Sequence, residues 1–501
     1  MSESLLMIPL LWQMAYALLL IFCWQIPQYH RIVSIFGNAI GVGLSALLFV
    51  WVKDKGIQVL NAGGWAAPYG ISFVADAFSA ILVLLTSIAG LAVSIASTNT
   101  LLDRRIHFGY FPVFHFLLAG LIGAFIAGDL FNLYVWFEIM IISSFVLLSL
   151  GGLKAQLEGG VKYFTLNMLA SVIFLTAVAV IYGLTGTLNM ADLSIKMAAV
   201  DNKILVRIAG IIFLVGFGIK SAVFPLYSWL PASYHTPPAP VSAIFGGLLT
   251  KVGVYAMARV FLLIFPEDPF LNNLFISIAI LTIVAGGLGA MMQQNIQRLF
   301  SYLIVCHIGF MVIGLGLRTE AAIAGMVFYM IHDIIVKTNL FLVGGLVYQI
   351  EGHWERRHCG GLYDRYPWIS FLMAIPLFSV VGIPPLSGFW PKISLVLAAF
   401  DVKQYWALGA ILLGSFLTLY IIGVLWIEVF WKQRKNEPDQ VDFLYYKNLL
   451  AKDKFSLVFP LVLLGAVSLY IGFGAESIQK LSQQIAKDLI HPETYIRAVL
   501  P

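Results

Sequence analysis

The chain reads as an all-α polytopic membrane protein of about fourteen transmembrane helices, and three observations predict it. Apolar residues make up 60% of 501 positions and charged residues only 11%, against roughly 45–50% and 25% in soluble domains. Runs of about 20 apolar residues, each bounded by turn or charge signals, recur along the whole chain. Two of those runs are interrupted by proline-rich segments that each have a lysine beside them, which predicts two inverted five-helix repeats with helices 7 and 12 broken.

Taken in order, the first span is expected at 5 to 26. MSESLLMIPLLWQMAYALLL has no basic leader and no small-residue cleavage site, so it reads as a retained helix. Spans two and three fall at 32 to 52 and 72 to 96, and Asp76 near the start of the third reads as an N-cap. Spans four and five, 108 to 127 and 130 to 152, are separated by Gly128 and Asp129, the latter an N-cap or a proton-uptake group. Span six follows at 160 to 182. Span seven, 204 to 230, runs into IKSAVFPLYSWLPASYHTPPAPVSA and is expected to break, and span eight covers 240 to 265 with Arg259 snorkelling near its end. Spans nine, ten and eleven lie at 271 to 292, 299 to 317 and 321 to 348. Span twelve, 368 to 400, is interrupted by VVGIPPLSGFWPK, where Pro384 and Pro385 remove backbone donors and disfavour helix just before them. Spans thirteen and fourteen close the set at 405 to 431 and 457 to 478.

If spans four to eight form one unit and nine to thirteen another, each break falls in its unit's fourth helix, and an odd number of spans inverts the second unit. The chain then divides into N-terminal helices (1–107), a first repeat (108–270), a second repeat (271–431) and a basic loop, last helix and tail (432–501). Arg104, Arg105, Arg356, Arg357, Arg365 and the basic stretch from Lys432 to Lys454 fall on one side, which favours a cell-membrane protein with both termini outside the cytoplasm. The net charge of +5 is spread over loops, so no nucleic-acid partner is expected.

The informative residues are the charged ones inside spans. A charge at the bilayer centre costs roughly 2.5–3.5 kcal/mol on insertion scales, yet Lys220, Lys251, Lys337, Lys392 and Glu138 all lie in long apolar runs. One Glu–Lys pair would suffice to lock two helices. The surplus of lysines suggests a proton relay, because an amine withdrawn from water can exist in its neutral form at physiological pH. In FYMIHDIIVKTNLFL, Asp333 and Lys337 are four apart and can pair on one helix face, which leaves His332 as the group suited to exchange protons. His307, in SYLIVCHIGF, is a weaker candidate of the same kind. Cys23, Cys306 and Cys359 are too few and scattered for a disulfide framework, and the loop GHWERRHCGG lacks a second ligand cluster, so no metal is expected. GxxxxGK[ST] and a strand-associated GxGxxG are both missing, and no cofactor or catalytic residue is expected.

Several segments resemble a family. TLNMLAS, LVGFGIKSAVFPLYSWLPASYHTPPAPVSA, LLTKVGVY, QRLFSYLIVCHIGF and VVGIPPLSGFWPK resemble the proton-translocating, antiporter-like subunits shared by respiratory complex I and the Mrp-type multisubunit sodium/proton antiporters. The length and HDIIVKTNLFLVGGL resemble most closely the D-type subunits of the Mrp antiporters. The resemblance implies a proton-carrying subunit that works beside other membrane subunits in a lipid bilayer, exchanging protons for Na+. It also implies that Glu138 and Lys220 form a charge pair, that Lys251 is the next station, that His332 and Lys337 bridge to the second half, and that Lys392 is the outlet. One departure is visible: where several complex I relatives carry a histidine four residues before the lysine of span eleven, this chain has Asp333, with His332 one residue earlier. Two other readings compete, a redox-driven pump subunit of a complex I-like or hydrogenase assembly, and a membrane scaffold whose charges only lock helices.

Overall fold

The computed structural model describes residues 3–433, 446 and 448–500. The middle of the basic stretch expected between Lys432 and Lys454 lies outside the described residues. The rest is helical apart from one small hairpin. The helices are α1 (Ile8–Phe22), α2 (Pro27–Lys55), α3 (Ala77–Thr100), α4 (Asp103–His107), α5 (Tyr110–Ile126), α6 (Leu130–Ser149), α7 (Lys154–Thr185), α8 (Met190–Ala199), α9 (Lys203–Ser221), α10 (Trp229–Ser233), α11 (Ala239–Ile244) and α12 (Thr250–Leu263). They continue as α13 (Pro269–Met291), α14 (Ile296–Leu317), α15 (Glu320–Glu351), α16 (Leu362–Arg365), α17 (Pro367–Val381), α18 (Phe389–Asp401), α19 (Tyr405–Trp426), α20 (Ala451–Phe473), α21 (Ala475–Ile490) and α22 (Glu493–Val499).

Among the described residues, twelve helices are long and apolar enough to cross a membrane, and two shorter apolar helices are Tyr110–Ile126 and Pro367–Val381. This is a multi-pass membrane protein. The hairpin pairs β1 (Gln58–Asn61) with β2 (Ser72–Ala75), with Gln58 opposite Ala75 and Asn61 opposite Ser72. It joins the end of α2 to the start of α3, so one end of the bundle carries the hairpin, α8 and the C-terminal helices. The opposite end carries Arg104, Arg105, Arg356, Arg357 and Arg365.

Both expected breaks are present, and both are built the same way. Helix α9 stops at Ala222, which adopts a left-handed φ of 59°, and the Val223 N–H turns back to the Gly218 carbonyl at 3.0 Å. Helix α17 stops at Gly382, φ 87°, with the Ile383 N–H directed to the Phe378 carbonyl at 3.3 Å. This is the six-to-one closure that ends helices by a left-handed residue, and the prolines that follow, Pro225 and Pro384, cannot resume an α-helix.

Helices α12 and α15 are the most enclosed spans among the described residues. Every residue of α12 is buried, as is every residue of α15 from Ala322 to Val347. Glycine lets the turn before α12 touch α15: a Cβ on Gly247 would collide with the Thr338 hydroxyl and approach the Ile334 carbonyl to 3.1 Å. Gly247 belongs to a π-turn, Phe245–Leu249, inserted between α11 and α12.

Candidate functional site

The first half of the site lies between α6, α7 and α9. Asp129 caps α6, its carboxylate accepting from the Asn132 N–H at 2.7 Å, and burial pushes this carboxyl up to about 6. Two turns further along α6, Glu138 is half-buried with one carboxylate oxygen unpartnered. Lys220, near the end of α9, donates to the Ser171 hydroxyl of α7 at 3.2 Å and lies 4.7 Å from the centre of the Phe137 ring. The expected charge pair is therefore not a contact pair. Among the described residues, Glu138 makes no ion pair within 4 Å and acts on Lys220 across space, because the Phe137 ring and Ser171 occupy the ammonium's near neighbourhood. A cavity of about 10 Å³, roughly the room of one water, touches Lys220, Asn167, Tyr163 and Leu249, the last residue of the π-turn.

The centre of the site is a buried ion pair. Lys251 Nζ lies 2.7 Å from Asp333 Oδ2, both side chains fully enclosed, and donates to the Gly246 carbonyl at 2.7 Å. Asp333 Oδ1 faces His307 Nδ1 at 3.3 Å, and the same ring nitrogen is 3.1 Å from the Tyr329 hydroxyl. His307 Nε2 is 3.4 Å from the Thr418 hydroxyl, so this histidine joins α14, α15 and α19.

The expected pairing of Asp333 with Lys337 inside α15 does not form. Lys337 turns to the Leu303 carbonyl of α14 at 3.2 Å instead. An in-helix pair is worth only about 0.2–0.5 kcal/mol on an exposed surface, and the close approach at Gly247 brings Asp333 to Lys251 instead. His332 and Asp333, adjacent in sequence, then point to different places. His332 Nδ1 is 2.8 Å from the Ser387 hydroxyl in the second helix break, and its ring lies 3.0 Å from where a Cβ on Gly388 would sit.

Lys392, the third residue after Phe389 in α18, reaches back across that break. Its ammonium donates to the Val380 and Val381 carbonyls at 3.1 and 2.7 Å, capping the end of α17, and lies 5.4 Å from the Phe310 ring centre. A cation at a helix C-terminus meets the negative end of the helix dipole and the carbonyls left without partners. The structure thus groups Lys251, Asp333 and His307 at one centre, His332 and Lys392 around the second break, and Glu138 with Lys220 apart from both.

One residue near the hairpin end differs from expectation. Arg259 does not snorkel: its guanidinium is 2.6 Å from the carboxylate of Asp76, with both side chains more than nine-tenths buried. Asp76 also caps α3 through the Ser79 N–H at 2.9 Å, as expected. Nothing in the spacing of the two residues, one at a span start and one at a span end far along the chain, signals that they meet.

The model of the NADH:quinone oxidoreductase/Mrp antiporter transmembrane family matches residues 127–418. The D-type subunit of the Na(+)/H(+) antiporter of Alkalihalophilus pseudofirmus is 42% identical over 499 residues, which is 99% of either chain. A chain in the structure of the Mrp complex from Dietzia sp. DQ12-45-1b superposes with a TM-score of 0.92 at 28% identity, covering 100% of both chains. A chain of the membrane-bound sulfane sulfur reductase, an archaeal respiratory membrane complex, superposes with a TM-score of 0.88 at 26% identity, again over 100% of both. The matched segment contains Glu138, Lys220, Lys251, Lys337, Lys392, His307, His332, Asp333 and, at its last position, Thr418. A chain of this composition, with these buried groups inside the matched segment and a full-length relative above 40% identity, belongs to the NADH:quinone oxidoreductase/Mrp antiporter family of transmembrane proteins.

Proposed function

We propose that the chain is the proton-carrying membrane subunit of a multisubunit antiporter that exchanges a monovalent cation, Na+, for protons. The observation that carries this reading is the enclosed ion-pair centre of Lys251, Asp333 and His307, flanked by Lys220 and Lys392 at the two helix breaks. The full-length likeness to a Na(+)/H(+) antiporter subunit supports the exchange reaction, and the likeness to a chain of an Mrp complex supports working beside other membrane subunits. Protons are taken as the carried species because every station can both gain and lose one. Lysine and histidine do so, and arginine, which cannot, is found only outside the series.

In this reading Lys220 holds a proton under the influence of Glu138 and passes it, through the water-sized cavity, toward Lys251. The Asp333 carboxylate and the His307 ring connect Lys251 with the second half, Lys337 and His332 continue the path, and Lys392 releases the proton. Asp129 serves as an accessory group near the end of α6. The architecture that goes with this path has fourteen spans, the two shorter apolar helices included, arranged as inverted repeats over 108–270 and 271–431. The arginine-rich end faces the cytoplasm of the cell membrane and both termini lie outside.

The test uses everted vesicles that contain the full complex. Adding sodium to vesicles with a preformed pH gradient should collapse it, and no sodium response from a demonstrably assembled complex would refute the reading. A second reading, a redox-driven pump subunit, draws on the likeness to the sulfane sulfur reductase chain. In that case sodium would leave the gradient untouched and electron flow in a larger assembly would build one. If the charges only lock helices, Glu138→Gln would alter assembly and spare transport in whatever assembles.

A further inference from the structure

We propose that Arg259 is the barrier that prevents protons from leaving Lys251 directly along α12 toward the hairpin end, so that they must pass sideways to α15. The proposal rests on reading Lys251 as a proton station. Lys251, Tyr255 and Arg259 are spaced four residues apart on α12, hence on one side of the helix, and form the polar stripe that leads out of the enclosed centre. Beyond Lys251, whose ammonium turns to Asp333 and Gly246, the outer groups are hydrogen-bonded: the Tyr255 hydroxyl donates to the Phe125 carbonyl at 2.6 Å and accepts from Arg259 Nε and Nη2, each at 3.3 Å. Arg259 then pairs with Asp76 at 2.6 Å. Beyond it lies the polar end of the molecule, where Asp488 on α21 is within electrostatic reach of both Asp76 and Arg259.

A stripe of hydroxyl and carboxylate groups between a proton station and an aqueous face is a short circuit unless something interrupts it. A guanidinium does so in two ways. It has five donors and no acceptor, so it cannot take up and pass on a proton, and its fixed positive charge opposes any cation that approaches. The surroundings hold it in place: the guanidinium carbon lies 5.8 Å from the ring centre of Phe78, 5.4 Å from that of Tyr255 and 5.3 Å from that of Tyr495. Tyr495 is 3% exposed and belongs to the C-terminal helix α22, which thereby seats over the mouth of the stripe. Eight residues of helix separate Arg259 from Lys251, about 12 Å, and because the paired Asp76 carboxylate offsets most of the arginine's field at that range, the barrier acts where a proton would have to pass the guanidinium itself.

The measurement is the decay of a preformed pH gradient in everted vesicles carrying the full complex, without sodium. The double variant Arg259→Gln with Asp76→Asn removes both charges together and leaves no unpaired ion. It should increase the sodium-independent decay several-fold, per assembled complex, because a group that cannot relay a proton is replaced by one that leaves room for water. Adding Lys251→Ala to it should restore tight vesicles, since the leak starts at that lysine. Tyr495→Leu, which leaves the buried pair intact, should leak to a smaller extent, and it decides the matter if the double variant does not assemble. Tight vesicles in every assembled variant would overturn the proposal, as would a leak that persists after Lys251→Ala. Lost sodium exchange without any leak would also overturn it and make Arg259 a positioning residue only. The underlying reading is tested separately: Lys251→Ala alone, with Arg259 in place, must lose sodium-driven exchange.

Discussion

Lys220 and Lys251 are both buried lysines beside an irregular stretch of helix, and the molecule holds them in opposite ways. Around Lys220 the ammonium meets a hydroxyl at 3.2 Å and an aromatic face at 4.7 Å, with its anion, Glu138, acting from further away. Around Lys251 the anion is in contact at 2.7 Å and nothing is exposed. The difference separates two tasks that a single salt bridge would combine. A lysine solvated by weak neighbours can change its charge without leaving a buried partner stranded. A lysine in a closed pair cannot, unless a third group takes up the change, and His307, 3.3 Å from the other oxygen of Asp333, is the group in place.

Variants that unbalance one side or the other test this contrast. The largest effect is expected from Asp333→Ala, which leaves Lys251 charged and alone in an enclosed interior. It should cost about 3–5 kcal/mol, seen as a loss of assembled complex and a lower unfolding temperature, and a stable, active Asp333→Ala complex would show that the pair is not closed. Next is Lys392→Arg, which preserves the charge at the end of α17 and removes the ability to release a proton. The complex should assemble and exchange roughly a hundredfold more slowly, while Lys392→His should retain part of the activity; a fully active Lys392→Arg would make this lysine a fixed counter-charge.

On the Lys220 side, Glu138→Ala should slow exchange about tenfold at normal assembly, as suits a charge acting at a distance, and Glu138→Asp should slow it less. Equal rates for Ala and wild type would end the role of Glu138 in tuning Lys220. The smallest contrast concerns the two histidines. His307→Ala should slow exchange and lower stability by at least about 1 kcal/mol, because it removes a partner of Asp333 that lies on the path, whereas His332→Ala should slow exchange a few-fold with the smaller loss of stability. Unchanged exchange in vesicle assays on an assembled complex carrying either substitution would remove that histidine from the path.

The spans, both breaks and the four lysines were legible because each has a local cause: a run of apolar residues, a proline that forbids helix, a charge with no water. Partnerships were not, since they depend on which helices touch. The spacing of Asp333 and Lys337 suggested a pair that the enclosed contact with α12 overrides, and Arg259 gave no sign that Asp76 would reach it. His307 looked like one more apolar-flanked histidine and stands at the junction of three helices. The hairpin was hidden for a different reason. QVLN and SFVA are four residues each, too short for an alternating pattern to stand out beside two spans. The amphipathic helix α21, AESIQKLSQQIAKDLI, follows the last span directly and its polar face marks it as lying outside the apolar core, where a search for membrane runs does not look.

The π-turn at Phe245–Leu249 sets the phase of everything after it. A turn of this kind contains one residue more than an α-helical turn, so the helix beyond it is rotated by about 100° relative to an uninterrupted one. Lys251 is the second residue after it, and its bearing on Asp333 is therefore a matter of count as much as of chemistry. Removing a single residue from FGGLL would leave the lysine in the chain, keep the composition almost unchanged, and swing the ammonium about a quarter-turn away from its carboxylate. Lineages that gain or lose one residue here would carry the same letters and a different circuit.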